Sequence, residues 1–336
     1  MIYFDNESKI AAFYFATEEY IMRDIKPTEA VYLVWQTGDT VMVGANQILD
    51  IEIDREYALS QGISVVRRSS GGGAIYTDSG TLLFSIILPY SEDMDPKAIA
   101  NEYFSKHVAG AIAGLGVTAS PEGRNDIQID EKKISGIAQY MKYGYLCTHG
   151  SLLFNADLEK LSRVLTVDQE KIMSKALRSV KSRVTNIADY TEVKDISALK
   201  KGLIKQCNSE QKEFDANDLV AIRKIMKEKY ESVDWTLGHN PPFTFRNSYR
   251  FKDGKIDILL EVKNGKVEGC SIFGDFLAIK PVSVIEDAIK GSLYRRDALT
   301  KAISEIKLAE YFGAVSQEEL LDLLLGNDLY DGGFHD

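Results

Sequence analysis

An α+β fold in two domains is what this 336-residue sequence predicts. Three observations point there. At roughly 150 residues per domain, the length accommodates two. Strand-like runs cluster beside helical runs, which favours α+β over a doubly wound parallel sheet. At Gly238-His239-Asn240-Pro241-Pro242 two prolines stop the preceding helical pattern, placing a boundary between residues 1–242 and 243–336.

Residues 7–22 carry apolar side chains at helical spacing (Ile10, Phe13, Tyr14, Ile21), with Glu18 and Glu19 off that stripe. Short strands follow at Ala30–Trp35 and Thr40–Val43, turned by Thr37-Gly38-Asp39, then a helix over Asp54–Gln61 and a strand over Ile63–Arg68. Leu82–Leu88 is a further apolar strand, and Pro96–Leu115 a long helix with small-residue spacing. A meander comes next: strand Ile127–Asp130, turn Glu131-Lys132, strand Lys133–Tyr140, turn Lys142-Tyr143-Gly144 and strand Tyr145–Phe154. Helical patterns start at Asn155–Glu170 and resume at Leu199–Gln206 and Ala216–Glu231. After the prolines, Asp253-Gly254 and Asn264-Gly265 signal hairpins. Helical patterns at Ser283–Ile289, Arg295–Ile306 and Gln317–Leu325 complete a smaller α+β module.

The net charge of −10 argues against a general nucleic-acid or anionic-membrane binder. No apolar run approaches the ~20 residues that span a bilayer, and the start MIYFDNESKI has no signal-peptide core. Cys147, Cys207 and Cys270 are odd in number and unpaired by spacing, so neither a disulfide framework nor a structural zinc site is expected. The expected location is cytoplasmic.

The most unusual stretch is Arg67-Arg68-Ser69-Ser70-Gly71-Gly72-Gly73-Ala74-Ile75-Tyr76-Thr77-Asp78. Three glycines clear side chains from a backbone whose N–H groups can form an anion nest. Arg67 and Arg68 can add charge-assisted contacts. A strand on either side excludes the strand–loop–helix geometry of Rossmann and P-loop sites. Lys133 opens a strand on which Ser135, Ile137 and Gln139 share its face by strict alternation. An ammonium there could hold a phosphate and polarise a carbonyl. By spacing alone, a solvated hairpin lysine is the simpler reading. The turn Gly123-Arg124-Asn125-Asp126 and the basic loop Ser179–Ile187 are equally readable as plain connections.

Together these segments resemble the lipoate–protein ligases: RRSSGGGAIYTD at 67–78, GRND at 123–126, KISGIAQ at 133–139, HGSLLFNADL at 149–158 and SVKSRVTNI at 179–187, in the family's order. The segment after Pro242 resembles the accessory domain of many such ligases. The resemblance implies a biotin/lipoate–protein ligase-like catalytic domain related to class II aminoacyl-tRNA synthetase cores. It implies ATP with Mg²⁺, lipoate as substrate, and lipoyl-domain acceptors such as 2-oxoacid dehydrogenase E2 subunits and the glycine cleavage H protein.

It also reverses the bland reading of Lys133, which matches the family's essential lysine. Arg68, Ser70, Gly71, Gly72, Gly73, Ala74, Ile75, Tyr76, Asn125, Asp126, Lys133, Lys181 and Arg183 fall on nucleotide- and adenylate-binding positions. Arg68, Lys133 and His149 fall on lipoate-binding ones. Two departures stand out: Thr77 precedes Asp78 where members often have His, and Ala45 lies between Gly44 and Asn46 where many have a basic residue. Trp35, Val43 and Phe84 are candidates for an apolar acyl slot. A related acyltransferase would use a cysteine thioester, and Cys147, two residues before His149, reads better as an inert strand cysteine.

Overall fold

The computed structural model describes residues 1–326 apart from 6, 48, 101, 103–105, 123–125, 166–183, 208–209 and 238–243. The chain divides into two compact units. The first comprises Met1–Val43, Leu49–Ser69 and Ala74–Leu237; the second comprises Gly44–Ile48, Ser70–Gly73 and Gly238–Asp336.

The first unit holds β1 (Ile2–Phe4), β2 (Val31–Trp35), β3 (Thr40–Val43), β4 (Ser64–Arg67), β5 (Ile75–Thr77), β6 (Thr81–Pro89), β7 (Ser120–Glu122), β8 (Asp126–Ile129), β9 (Lys132–Lys142), β10 (Tyr145–Leu153) and β11 (Glu210–Lys212). Eight of them form one sheet in the order β11-β1-β2-β6-β10-β9-β8-β7. It is antiparallel except where β1 pairs with β11 and β2. A smaller sheet runs β4-β3-β5. The central strands β2 and β6 read as near-continuous apolar runs because both faces are buried.

Local chemistry explains the meander. Asp130 and Glu131 have φ of +48° and +62°, and Tyr143 and Gly144 have +55° and +80°. Such two-residue left-handed turns match the twist of antiparallel strands. The first turn falls one residue earlier than expected. β5 and β7 were not expected, since three residues carry too little alternation to register.

Helix Ala11–Tyr20 continues as a π-helical turn, Ile21–Ile25. It starts later than expected, at a point where the Ile10 N–H donates to Ser8 Oγ. Glu18 and Glu19 lie off the apolar stripe, yet they are 0% and 5% exposed. The helix is buried nearly all round, so its charged positions face partners and not water. Asp54 caps helix Arg55–Ser60 by accepting the Tyr57 N–H at 2.8 Å. The helix expected over Pro96–Leu115 is described as Pro96–Ile99 and Lys106–Ala113. Helices Leu158–Val164, Ile196–Cys207 and Ala216–Ile225 follow, the last running into the π-helical Met226–Tyr230 and then Val233–Leu237.

In the second unit β12 (Phe245–Phe251), β13 (Gly254–Lys263) and β14 (Lys266–Gly274) form an antiparallel sheet, with Asn264 and Gly265 at φ +51° and +72° in the second turn. Phe251, Ile256, Ile258 and Leu260 of this sheet pack with Ile285, Leu299 and Leu320 of the helices. Helix Gln317–Leu325 starts at a capping box between Ser316 and Glu319. Two early segments belong to the same unit: the Gly72 N–H donates to the Phe276 carbonyl at 2.9 Å, and the Gly274 N–H donates to the Asn46 carbonyl at 2.6 Å.

Candidate active site

Pairing registers sort the side chains of the large sheet. Leu33 pairs with Ser85, Ser85 with His149, and His149 with Ala138; Trp35 pairs with Leu83, Leu83 with Ser151, and Ser151 with Gly136. Since alternate residues share a face, these residues line one surface. Helix Ala11–Tyr20 packs in the same core cluster as Leu33, Trp35 and Leu83, as do Met42, Val66 and Ile75 of the smaller sheet.

Strict alternation would exclude Lys133 from this surface. The strand pair β8–β9 breaks it. Ile127 pairs with Ser135, but Gln128 pairs with Lys133, so Ile134 is an extra residue in β9. A bulge of this kind moves the preceding side chain to the other face. Lys133 therefore shares a face with Gly136 and Asp126, not with Ser135, Ile137 and Gln139. Its Nζ is 2.7 Å from Asp126 Oδ1, and a β-carbon built at Gly136 would lie 2.9 Å from that Nζ. The lysine keeps 38% side-chain exposure, against 0% residue exposure for the neighbouring Ile134.

The inner end of the surface is a closed polar network. Glu18 accepts from Ser85 Oγ at 2.6 Å, from Tyr140 Oη at 3.1 Å and from His149 Nδ1 at 3.0 Å. A carboxylate can only accept, which fixes the proton of His149 on Nδ1. Ser85 Oγ also accepts from Trp35 Nε1 at 3.2 Å. Trp35 thus shares the sheet face that carries His149. Phe84 and Val43 do not. Phe84 pairs with Gly150 and points to the opposite face of the sheet, and Val43 packs with Tyr76, Leu153 and Val164 in a separate cluster.

Arg68 follows β4 and is 5% exposed. Its N–H donates to the Val43 carbonyl and its Nη1 to the Met42 carbonyl, both at 3.0 Å. Burial, with Arg67 nearby, lowers the guanidinium to about 10, so it stays cationic at neutral pH. Arg67 turns part of its guanidinium to the chain itself. Its Nε and Nη2 donate to the carbonyls of Trp235 and Thr236. The sequence offered no signal for that contact across 168 residues.

In the glycine stretch, Ser70, Gly71 and Gly72 are buried, and Gly73, Ala74 and Ile75 half-buried. The Gly72 N–H expected to cradle an anion is engaged with Phe276, and Ser70 accepts from the Ala45 N–H at 2.8 Å. Tyr76 is 1% exposed and its side chain lies in the cluster with Val41 and Leu153, on the opposite side of the strand from Ile75, which packs against the other cluster. Thr77, the departure from the family pattern, is buried and hydrogen-bonds Thr37 through their hydroxyls at 2.8 Å. Asp78 accepts from Gly80, Thr81 and Asp157 and shapes the turn into β6.

Asn125, Lys181 and Arg183 lie outside the described residues. Just after them, Val184 pairs with Lys133 in a parallel bridge, and the Thr185 N–H donates to the Lys133 carbonyl at 3.1 Å. Val184 and Thr185, the residues next in sequence to Arg183, are thus held against Lys133.

Cys147 is fully buried, and burial together with the Glu18 carboxylate pushes its thiol well above the usual range. A thioester mechanism needs a thiolate that substrate can reach, so the transferase reading fails here. Glu18, Cys147 and His149 bring three potential metal-ligand atoms within 4.8 Å. The glutamate's hydrogen bonds to Ser85, Tyr140 and His149 account for that grouping without an ion. No helix among the described residues is long and apolar enough to cross a membrane.

Comparison with known proteins gives a consistent picture. The family model described as lipoyl protein ligase A/B catalytic domain matches residues 11–208, and that described as bacterial lipoate protein ligase C-terminus matches residues 240–324. Lipoate-protein ligase LplJ of Bacillus subtilis (strain 168) is 35% identical over 333 residues, covering 96% of this chain and all of that protein. A bipartite lipoate protein ligase of Thermoplasma acidophilum, studied with its E2 lipoyl domain, has a TM-score of 0.63 at 28% identity, covering 73% of this chain and 98% of that one. A lipoate-protein ligase A solved with ATP has a TM-score of 0.62 at 26% identity, covering 70% and 98%. With a catalytic-domain match over more than half of its length and a full-length relative above 30% identity, this chain belongs to the lipoate–protein ligase family.

Proposed function

We propose that residues 1–242 form the catalytic domain of this ligase and residues 243–336 its accessory domain, and that adenylation occurs on the sheet face carrying Lys133 and His149. The observation that carries this reading is the β9 bulge. It sets a half-exposed ammonium beside a glycine, on the same face as a buried polar network and Trp35.

A lipoate carboxylate must attack the α-phosphorus of ATP although both partners are anionic. Lys133 offers one positive charge to the acyl oxygen and the α-phosphate, and Arg68 a second; each stabilises charge as it develops. Ser70, Gly71, Gly72, Gly73, Ala74, Ile75 and the backbone of Tyr76 supply nucleotide contacts in this reading, as do Asn125, Asp126, Lys181 and Arg183. The acyl chain lies along Trp35 towards His149, whose ring Glu18 orients. Pyrophosphate leaves as the mixed anhydride forms. The ε-amine of an acceptor lysine then attacks the carbonyl, forming the amide, losing its proton to solvent and releasing AMP. Positioning and charge, not covalent catalysis, do the chemistry.

Magnesium binds nucleotides through phosphate oxygens and one or two carboxylates, keeping much of its water. Asp126, beside Lys133, fits as such a carboxylate, and the ion would screen the triphosphate charge. Acceptors would be lipoyl domains of 2-oxoacid dehydrogenase E2 subunits and the glycine cleavage H protein, met in the cytoplasm. The test is lipoate-dependent ATP–pyrophosphate exchange followed by transfer to an isolated lipoyl domain. Exchange that proceeds without lipoate, or none at all, overturns the reading.

A further inference from the structure

Residues 226–237 fall between the two stretches matched by family models, 11–208 and 240–324. They nevertheless grip the chain on both sides of Arg68. On one side, Trp235 Nε1 donates to the Arg67 carbonyl at 2.9 Å. Arg67 answers with Nε to the Trp235 carbonyl at 3.0 Å and Nη2 to the Thr236 carbonyl at 3.0 Å. A cation is thereby placed on the last carbonyls of helix Val233–Leu237, a favourable arrangement.

On the other side, Ser69 Oγ lies 2.8 Å from Tyr230 Oη, and Lys229 Nζ donates to Ser69 Oγ at 3.3 Å. Lys229 is itself fixed by Glu19 at 2.6 Å and sits 4.5 and 4.3 Å over the rings of Tyr230 and Trp235. The Glu19 carboxylate also accepts from Tyr230 at 2.9 Å and from Lys142 at 2.7 Å.

Arg68 is thus suspended between two anchored neighbours. A long side chain with several rotatable bonds loses much freedom when it is held for a ligand. Sites that work do so because surrounding residues lock the working group beforehand. We propose that Lys229, Tyr230 and Trp235 are positioning residues for adenylation: they act through Arg68, by clamping Arg67 and Ser69, and touch no substrate. The inference rests on the role proposed for Arg68.

The experiment is a double-mutant cycle in the full chain, read by steady-state lipoate-dependent ATP–pyrophosphate exchange. Trp235→Leu should lower kcat/KM roughly 10–100-fold, the scale expected when a working group is displaced by about an ångström. In an Arg68→Ala background the same substitution should cost nothing further, because an effect carried by Arg68 disappears with it. Losses that multiply in the double variant would overturn the proposal. Should Trp235→Leu fail to fold, Ser69→Ala takes its place with the same expected non-additivity. Lys229→Arg, which keeps the cation, should restore most of what Lys229→Met loses; no difference between the two counts against the clamp. An Arg68→Ala chain as active as the parent removes the Arg68 reading itself, an outcome distinct from multiplying losses.

Discussion

Gly136 and Lys133 share one space on the sheet: a β-carbon at position 136 would stand 2.9 Å from Lys133 Nζ and 3.1 Å from its Cε. Those atoms are the free end of a flexible side chain, so alanine at 136 is accommodated by moving the lysine and not the backbone. Gly136→Ala should therefore lower exchange activity about ten-fold or more, the cost of a misplaced charge, while the thermal midpoint hardly changes. Calorimetry beside kinetics checks both halves.

Lys133→Ala should cost roughly 10²–10³-fold in kcat for adenylate formation, as expected for loss of one charge-stabilising donor. The fold should survive, since the side chain is 38% exposed and its ion pair is with Asp126. Asp126→Asn should keep the lysine but loosen it, giving a smaller loss. Circular dichroism and pyrophosphate exchange on both variants measure the difference.

The Glu18 carboxylate satisfies Ser85, Tyr140 and His149 at once, and all four side chains are buried. Glu18→Ala should destabilise the first unit by about 1–3 kcal/mol for each polar group left unpaired. It should also raise KM for lipoate more than for ATP, because His149 loses the group that orients it. Urea unfolding and the two KM values test this.

Glu19 is held down to about 2, against its own desolvation, by Lys229 and Lys142. A carboxylate with a depressed folded pKa leaves the folded state with fewer bound protons than the unfolded one between about 2 and its ordinary value of 4.5. Stability from this group is therefore full above that window and drains away as the pH falls through it. Thermal midpoints recorded from pH 5 downward should fall less steeply in Glu19→Gln than in the parent.

Gly71 has no room for a side chain. A β-carbon there would lie 2.6 Å from the Phe276 carbonyl oxygen and 3.1 Å from the Ala278 nitrogen, both backbone atoms that cannot swing aside. Gly71→Ala should expose the Phe276–Ala278 segment, seen as faster amide exchange there, whether or not nucleotide is present.

Much of this was legible in the sequence because it is written locally. Asn264-Gly265 and Tyr143-Gly144 announce their turns, Asp54 announces its helix, and the apolar run of β6 announces a buried strand. What escaped is non-local or breaks a period. Glu18 reads as a solvent-facing residue until His149, 131 positions away, is folded against it. Arg67 reads as a twin of Arg68 until Trp235 claims it. Lys133 was assigned the wrong neighbours because one inserted residue, Ile134, is invisible to a rule that counts by twos.

That insertion has a consequence for anyone who would tidy this protein. Parity decides which layer each residue of β9 serves, and Ile134 changes the parity once, between the hairpin end and the rest of the strand. Pairing it into a regular ladder, with Ile134 opposite Gln128 and no residue removed, would be smoother by every backbone criterion and would deliver the ammonium to the wrong storey. Here regularity and competence are opposed, and the irregular count is the one that sets Lys133 beside Gly136.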